Sequence, residues 1–71
     1  MLTTSEKIRL LLKRKGMTIT ALAEKTGTHR QNINNKLARN NFSECDLRRM
    51  GEALGQELSI VFKDKETGEE L

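Results

Sequence analysis

The segment TGTHRQNINNKLARNN, residues 26 to 41, is rich in side chains that form hydrogen bonds and poor in side chains that a core could bury. Ile33 and Leu37 stand one helical turn apart, and Ala38 is the one further residue suited to burial. A helix turns by about 100° per residue, so burying the edge of Ile33 and Leu37 leaves amides and cations on the opposite side. That side carries Thr28, Gln31, Asn32, Asn35 and Arg39, with His29, Arg30 and Lys36 on its flanks.

The amide groups of this face have a specific chemical use. Asparagine is a poor helix former, at a cost of about 0.5 kcal/mol relative to alanine, whereas solvated helix faces favour Glu and Lys. Three Asn in one short helix therefore need a reason. Asn and Gln side chains match the N6/N7 edge of adenine bidentately, and Arg matches O6/N7 of guanine, so the face suits the major groove of DNA. The alternative is a polar face that only meets solvent.

Length and composition limit the rest of the chain. Seventy-one residues without Trp or Tyr and with two Phe predict one domain with a modest core of Leu, Ile and Met, which fits short packed helices. The single cysteine, Cys45, excludes an intramolecular disulfide and lacks partners at metal-ligand spacing. The longest apolar run, Leu10 to Leu12, is too short to span a membrane. We predict a cytoplasmic protein with no membrane association, no metal and no cofactor.

Charge is distributed unevenly along the chain. Residues 1 to 63 contain twelve Lys or Arg against six Asp or Glu, a net charge of +6. Residues 64 to 71, DKETGEEL, carry a net charge of −3. A small basic domain attracts polyanions, although a basic solvated surface without a ligand would show the same balance.

Capping residues and glycines divide the first part of the chain into predicted helices. Thr3 and Glu6 form a capping-box pattern for the first helix, which is expected to end at Gly16. Thr18 is suited to cap a short second helix that ends at Gly27.

Two further helices follow. The third is predicted over residues 28 to 39, with Thr28 as its cap and Gln31 at the capping-box position. The fourth is expected to begin at Ser43, with acidic residues in its first turn, and to end before Gly55. The predicted core includes Met17, Ile33, Leu37, Phe42, Leu47, Met50 and Leu54.

The segment ELSIVFK, residues 57 to 63, alternates in the manner of a β-strand. A lone strand leaves its backbone groups unpaired, so we expect it to pair with a second copy across a two-fold axis. The predicted dimer interface is Leu58, Ile60, Val61 and Phe62, of which Leu58, Ile60 and Phe62 also cover the helices. The alternative is a strand that folds back on its own helices in a monomer that dimerises only on DNA. The predicted organisation is a helical domain over 1 to 56, this strand over 57 to 63 and an acidic tail over 64 to 71.

A short helix, a tight turn and a polar helix make a helix-turn-helix. Residues 17 to 55, MTITALAEKTGTHRQNINNKLARNNFSECDLRRMGEALG, resemble the phage-repressor (Cro/cI, or XRE) family of helix-turn-helix domains. The matching features are Leu22-Ala23, Gly27, Arg30-Gln31, Ile33-Asn34 and DLRRMGEALG. The resemblance implies a mainly α, compact, lambda-repressor-like domain of four or five helices, whose third helix reads DNA. In this chain we expect four helices, with the predicted C-terminal β-strand in place of the family's usual extra helix.

The resemblance also implies roles for individual residues. It places Arg30, Gln31 and Asn35 at base edges, and the helical angles independently select Gln31 and Asn35; Asn34 is a further candidate. His29 either donates to a phosphate or is simply exposed. The implied phosphate contacts are Thr18, Thr28, Lys36, Arg39, Asn40, Asn41 and Ser43.

Together these features predict a sequence-specific, double-stranded DNA-binding transcriptional regulator, a repressor, that binds a palindromic operator as a homodimer. The alternative is an antitoxin or an adaptor whose C-terminal strand and acidic tail bind a partner protein, and the two roles are compatible. We predict no enzymatic activity and no catalytic residues, because no pair of titratable side chains is placed where a pocket could desolvate it.

Overall fold

The computed structural model describes the whole chain, residues 1 to 71. Its elements are four helices, α1 (Thr4–Lys15), α2 (Ile19–Thr26), α3 (Arg30–Arg39) and α4 (Glu44–Ala53). Helix α2 packs against α3 and α4, and α1 packs against α3. The four predicted helices and the mainly α fold are thus confirmed. None of the four helices has the length and apolar character that crossing a membrane requires.

Local capping explains where most of these helices begin and end. Both arms of the predicted capping box of α1 are present, with Glu6 N donating to Thr3 Oγ1 at 3.1 Å and Thr3 N to Glu6 Oε1 at 3.0 Å. Thr18 Oγ1 accepts from the backbone amide of Ala21 and so caps α2. Gly27 ends α2 in the left-handed conformation, at φ 72°, which a residue with a Cβ adopts at a cost.

The predicted start of α3 at Thr28 is wrong. The N-cap is His29, whose side chain makes no capping hydrogen bond, and Gln31 takes part in no capping box. The backbone amide of Thr28 instead donates to the carbonyl oxygen of Ala23 at 3.0 Å, which completes the C-terminal turn of α2. Thr28 therefore belongs to the end of α2, and α3 begins after it.

The core lies between the four helices and contains eight buried apolar residues. They are Ile8, Leu12, Leu22, Ala23, Ile33, Leu37, Met50 and Leu54. Among the other residues predicted as core, Met17, Phe42 and Leu47 are only partly buried. Ala38, the third apolar residue of the polar segment, is exposed on α3.

The predicted β-strand over residues 57 to 63 is absent, because this chain offers no neighbouring strand to pair with it. The structure contains no strand, only an isolated antiparallel bridge between Lys63 and Glu70. Around this bridge Phe62 and Leu71 exchange two backbone hydrogen bonds, of 3.0 and 2.9 Å. We refer to residues 62 to 71 as the C-terminal turn.

The side chains of this segment also differ from the prediction that they cover the helices. Leu58 is half-buried and lines a groove beside Leu11 of α1 and Leu47 of α4. Ile60 and Phe62 are exposed, Phe62 to 79 %. The segment leaves the helical domain after Leu58, so its remaining apolar side chains contact water.

Candidate nucleic-acid interface

Helix α3 has one buried edge and one polar face. Ile33 is 1 % exposed and Leu37 is 3 % exposed, so this edge anchors the helix in the core. The four predicted base-contacting residues are all exposed, and none of their side chains forms a hydrogen bond within the chain: Arg30, Gln31, Asn34 and Asn35. We call these four residues the polar face of α3. Their hydrogen-bonding groups are available to a ligand.

Helix α1 holds the C-terminal end of α3 through Ser5, the only buried polar residue of the chain. Ser5 Oγ donates to the carbonyl oxygen of Leu37 at 2.7 Å. The backbone amide of Ser5 donates to Asn40 Oδ1 at 2.9 Å. Asn40 itself ends α3 in the left-handed conformation, at φ 50°. The two hydrogen bonds fix the end of α3 relative to α1.

Helix α4 holds the same half of α3 through an ion pair. Lys36 Nζ lies 2.7 Å from Asp46 Oδ2, and that oxygen also accepts the backbone amide of Ser43 at 2.9 Å. The hydrogen bond from Lys36, followed by that from the Ser43 amide, lowers the pKa of Asp46 below its ordinary value. Asp46 therefore remains ionised at neutral pH and keeps its hold on Lys36.

Helices α2 and α3 and the turn between them, residues 27 to 29, have the order of a helix-turn-helix, with the polar face on the second helix. Residues 7–53, which contain this unit, match the family model of the Cro/C1-type HTH DNA-binding domain. The chain belongs to this family. The resemblance to phage repressors is thereby confirmed, and the protein is an XRE-type helix-turn-helix protein that binds double-stranded DNA and acts in transcription regulation. No curated protein and no solved structure matches the chain.

Four of the eight residues predicted to contact phosphate in this Cro/C1-type domain are exposed and keep a side-chain donor that no residue of the chain uses. Arg39 and Asn41 are exposed and form no side-chain hydrogen bond within the chain. His29 is exposed at the start of α3. Asn40 uses Oδ1 to bind Ser5, which leaves its amide group as a donor. All four stay predictions as phosphate contacts.

The other predicted phosphate contacts have partners inside the Cro/C1-type domain. Thr18 and Ser43 accept backbone amides as helix caps, and Thr28 Oγ1 accepts from the side chain of Asn32 at 3.2 Å. A threonine or serine hydroxyl that accepts one hydrogen bond still has a proton to donate, so these contacts also stay predictions. Lys36 differs, because its ammonium is already bound to Asp46.

Ser5 and Asp46 are the residues that sequence reasoning missed. In the sequence, Ser5 is an ordinary polar residue in the first turn of a helix. The residues around it do not indicate that it is buried or that it bonds to a residue 32 positions away. Asp46 gives a partial signal, since it stands three residues after Ser43, in the capping-box position. Its bond to Lys36 has no signature in the sequence. No group of three or more His, Cys, Asp and Glu residues lies close enough together to hold a metal ion.

Proposed function

We propose that this Cro/C1-type domain is a sequence-specific repressor of transcription that reads the major groove with the polar face of α3. The observation that supports the proposal is the availability of this face. Its four polar side chains are exposed and form no hydrogen bond within the chain, and the opposite edge of the helix is anchored in the core. An exposed helix that is held by both α1 and α4 is the kind of element that the major groove admits.

Each side chain of the polar face has a matching base edge. Gln31 and Asn35, one helical turn apart, each present an amide that can bind N6 and N7 of an adenine. Arg30 carries a guanidinium that can bind O6 and N7 of a guanine, and Asn34 lies on the same exposed side. The predicted phosphate contacts other than Lys36 would position this face on the duplex. They are Arg39, Asn40, Asn41, His29, Thr18, Thr28 and Ser43.

Repression follows from occupying DNA. A protein that fills the major groove of an operator excludes other proteins from that site, so binding alone suffices for the effect. The net charge of +6 over residues 1 to 63 supports electrostatic attraction to the duplex.

We further propose that the protein binds a palindromic operator as a homodimer. Ile60, Val61, Phe62 and Leu71 are exposed, and apolar side chains grouped on a protruding segment favour a protein interface. The charges also favour association of two copies. The acidic segment 64 to 71 of one copy would be attracted to the basic segment 1 to 63 of the other. A two-fold dimer would present two α3 helices about 34 Å apart, one turn of DNA.

Selection of random duplexes, followed by sequencing, tests the DNA-binding proposal. We expect the purified protein to enrich one sequence with two-fold symmetry, and footprinting on the enriched duplex to protect it. A protein that enriches no sequence above the random background would contradict sequence-specific reading.

An antitoxin or adaptor role is the second candidate, because the exposed apolar side chains of residues 60 to 62 also suit a different protein as partner. Affinity purification of the full chain from its native cells distinguishes the two roles. A stoichiometric second protein, lost when Phe62 is changed to Ser, would support the partner role. Recovery of the chain alone, together with protection of operator DNA, would support plain regulation.

A further inference from the structure

We propose that Lys36 and Asp46 form a positioning pair that orients α3 for base reading and keeps the Lys36 ammonium off the DNA backbone. The inference rests on the proposed reading of DNA by α3. It assigns Lys36 a role different from the phosphate contact that the family resemblance implies, and it assigns a role to Asp46, which carries no predicted function. The proposal is based on the 2.7 Å contact between Lys36 Nζ and Asp46 Oδ2.

The carboxylate in this pair is held in place independently of Lys36. Asp46 Oδ2 accepts the backbone amide of Ser43 at 2.9 Å, and the backbone amide of Asp46 donates to Ser43 Oγ at 3.0 Å. The position of Asp46 in the first turn of α4 also favours its negative charge. Asp46 is thus a fixed acceptor, and Lys36 would have to abandon it in order to reach a phosphate.

The environment of the pair strengthens it relative to the other ion pair of the chain. The side chains of Lys36 and Asp46 are 34 % and 24 % exposed. Those of Arg48 and Glu44, both on α4, are more than half exposed. Charges that are partly withdrawn from water are screened less by salt and lose more when separated. The Lys36–Asp46 pair also joins two helices, whereas the Arg48–Glu44 pair joins residues of one.

The three cations of α3 therefore divide into two kinds. Arg30 and Arg39 are exposed and have no acidic partner, whereas Lys36 is neutralised by Asp46. Non-specific DNA binding comes almost entirely from cations that replace counterions on phosphates. Pairing Lys36 with Asp46 removes one such cation from each protomer and uses it to fix the orientation of the polar face.

Salt titrations of DNA affinity test this assignment directly. Affinity would be measured at several salt concentrations for a random-sequence duplex and for the enriched operator duplex. In Lys36→Met, which removes the charge and shortens the side chain by only one atom, we expect no change in the salt slope on random DNA. We expect the ratio of operator to random affinity to fall several-fold, because α3 loses its tie to α4.

Asp46→Asn provides the complementary variant. Asn can still accept the Ser43 amide, so the cap of α4 is retained, but it lacks the charge that holds Lys36. We expect the salt slope on random DNA to steepen by about 0.9 per protomer, which is a factor of about 3.5 in affinity between 50 and 200 mM salt. The steepening should disappear in the double variant Lys36→Met/Asp46→Asn, where no ammonium is released.

Glu52→Gln is the matched control for Asp46→Asn. It also removes one negative charge from α4, but from an exposed residue that forms no ion pair. A slope that falls by about 0.9 per protomer in Lys36→Met would show that Lys36 contacts a phosphate, and it would overturn the proposal. The proposal would also be overturned if the steeper salt slope of Asp46→Asn persisted in the double variant. The same would follow if Glu52→Gln steepened the slope equally. Absence of any DNA binding by the unchanged protein would instead refute the proposed function itself.

Discussion

Ser5 Oγ donates a buried hydrogen bond of 2.7 Å to the carbonyl oxygen of Leu37, and thereby joins the first turn of α1 to the last turn of α3. The adjacent bond from Ser5 N to Asn40 Oδ1 makes this a two-point connection. Together with the Lys36–Asp46 pair, it ties the C-terminal half of α3 to two helices, α1 and α4. The polar face of α3 therefore lies on a helix whose orientation is set by its neighbours.

Replacing Ser5 by Ala should lower the free energy of unfolding by about 1 to 2 kcal/mol, because a buried hydrogen bond is lost. Urea denaturation of the full chain measures this change. Ser59→Ala, at an exposed position without a side-chain hydrogen bond, is the control and should leave the free energy of unfolding unchanged within about 0.5 kcal/mol. An equal effect of the two substitutions would show that the buried bond does not stabilise the fold.

Replacing Gln31 by Ala should weaken binding to the enriched operator by roughly 1 to 3 kcal/mol, because an amide that contacts a base edge is lost. Affinity for random DNA should change little, since Gln31 carries no charge. Equilibrium titration of both duplexes provides the comparison. Equal losses on the two duplexes would exclude Gln31 as a base-reading residue.

Replacing Arg39 by Ala should flatten the salt dependence of DNA binding by about 0.9 per protomer in log affinity against log salt, because one phosphate contact is lost. The preferred sequence should stay the same, since a phosphate contact carries no base information. Arg48→Ala serves as the control, because Arg48 is an α4 cation already paired with Glu44. If Arg39→Ala leaves the slope unchanged, Arg39 contacts no phosphate.

Sedimentation of the full chain at tens of micromolar should find a dimer, and the variants Ile60→Ser and Phe62→Ser should be monomeric. The physical reason is that a second copy would remove these exposed apolar side chains from water. Leu2→Ser, which changes an exposed apolar residue at the other end of the chain, should remain dimeric. A monomeric unchanged protein, or a dimer in both variants, would refute the proposed interface.

The pH dependence of stability should report the Lys36–Asp46 pair. The pKa of Asp46 is lower in the folded protein than its ordinary value of 3.8, chiefly because of the hydrogen bond from Lys36. Its contribution to the free energy of unfolding is therefore present above the unfolded pKa and is lost as pH falls through the lower folded pKa.

Urea denaturation at a series of pH values should show that Asp46→Asn is less stable than the unchanged protein at pH 7. The difference should shrink below about pH 4. A constant difference across this range would mean that the charge of Asp46 contributes nothing to stability.

Features that depend on a few neighbouring residues could be read from the sequence. The capping box of Thr3 and Glu6, the cap at Thr18 and the left-handed glycine at position 27 each involve residues no more than five positions apart. The polar face of α3 also follows from local information, because the helical period separates Gln31 and Asn35 from the buried edge of Ile33 and Leu37.

Features that depend on a distant partner were decided only by the tertiary structure. Thr28 is a local exception, because its residue type suits both the end of α2 and the cap of α3, and its amide bonds to Ala23, only five positions earlier. The alternation of residues 57 to 63 is compatible with a strand, but backbone pairing requires a neighbouring edge, and this chain provides one only for the short C-terminal turn. The roles of Ser5 and Asp46 arise where α1 and α4 meet α3. Periodicity and capping describe single helices, whereas a hydrogen bond between helices depends on how those helices pack, and packing is a property of the whole chain.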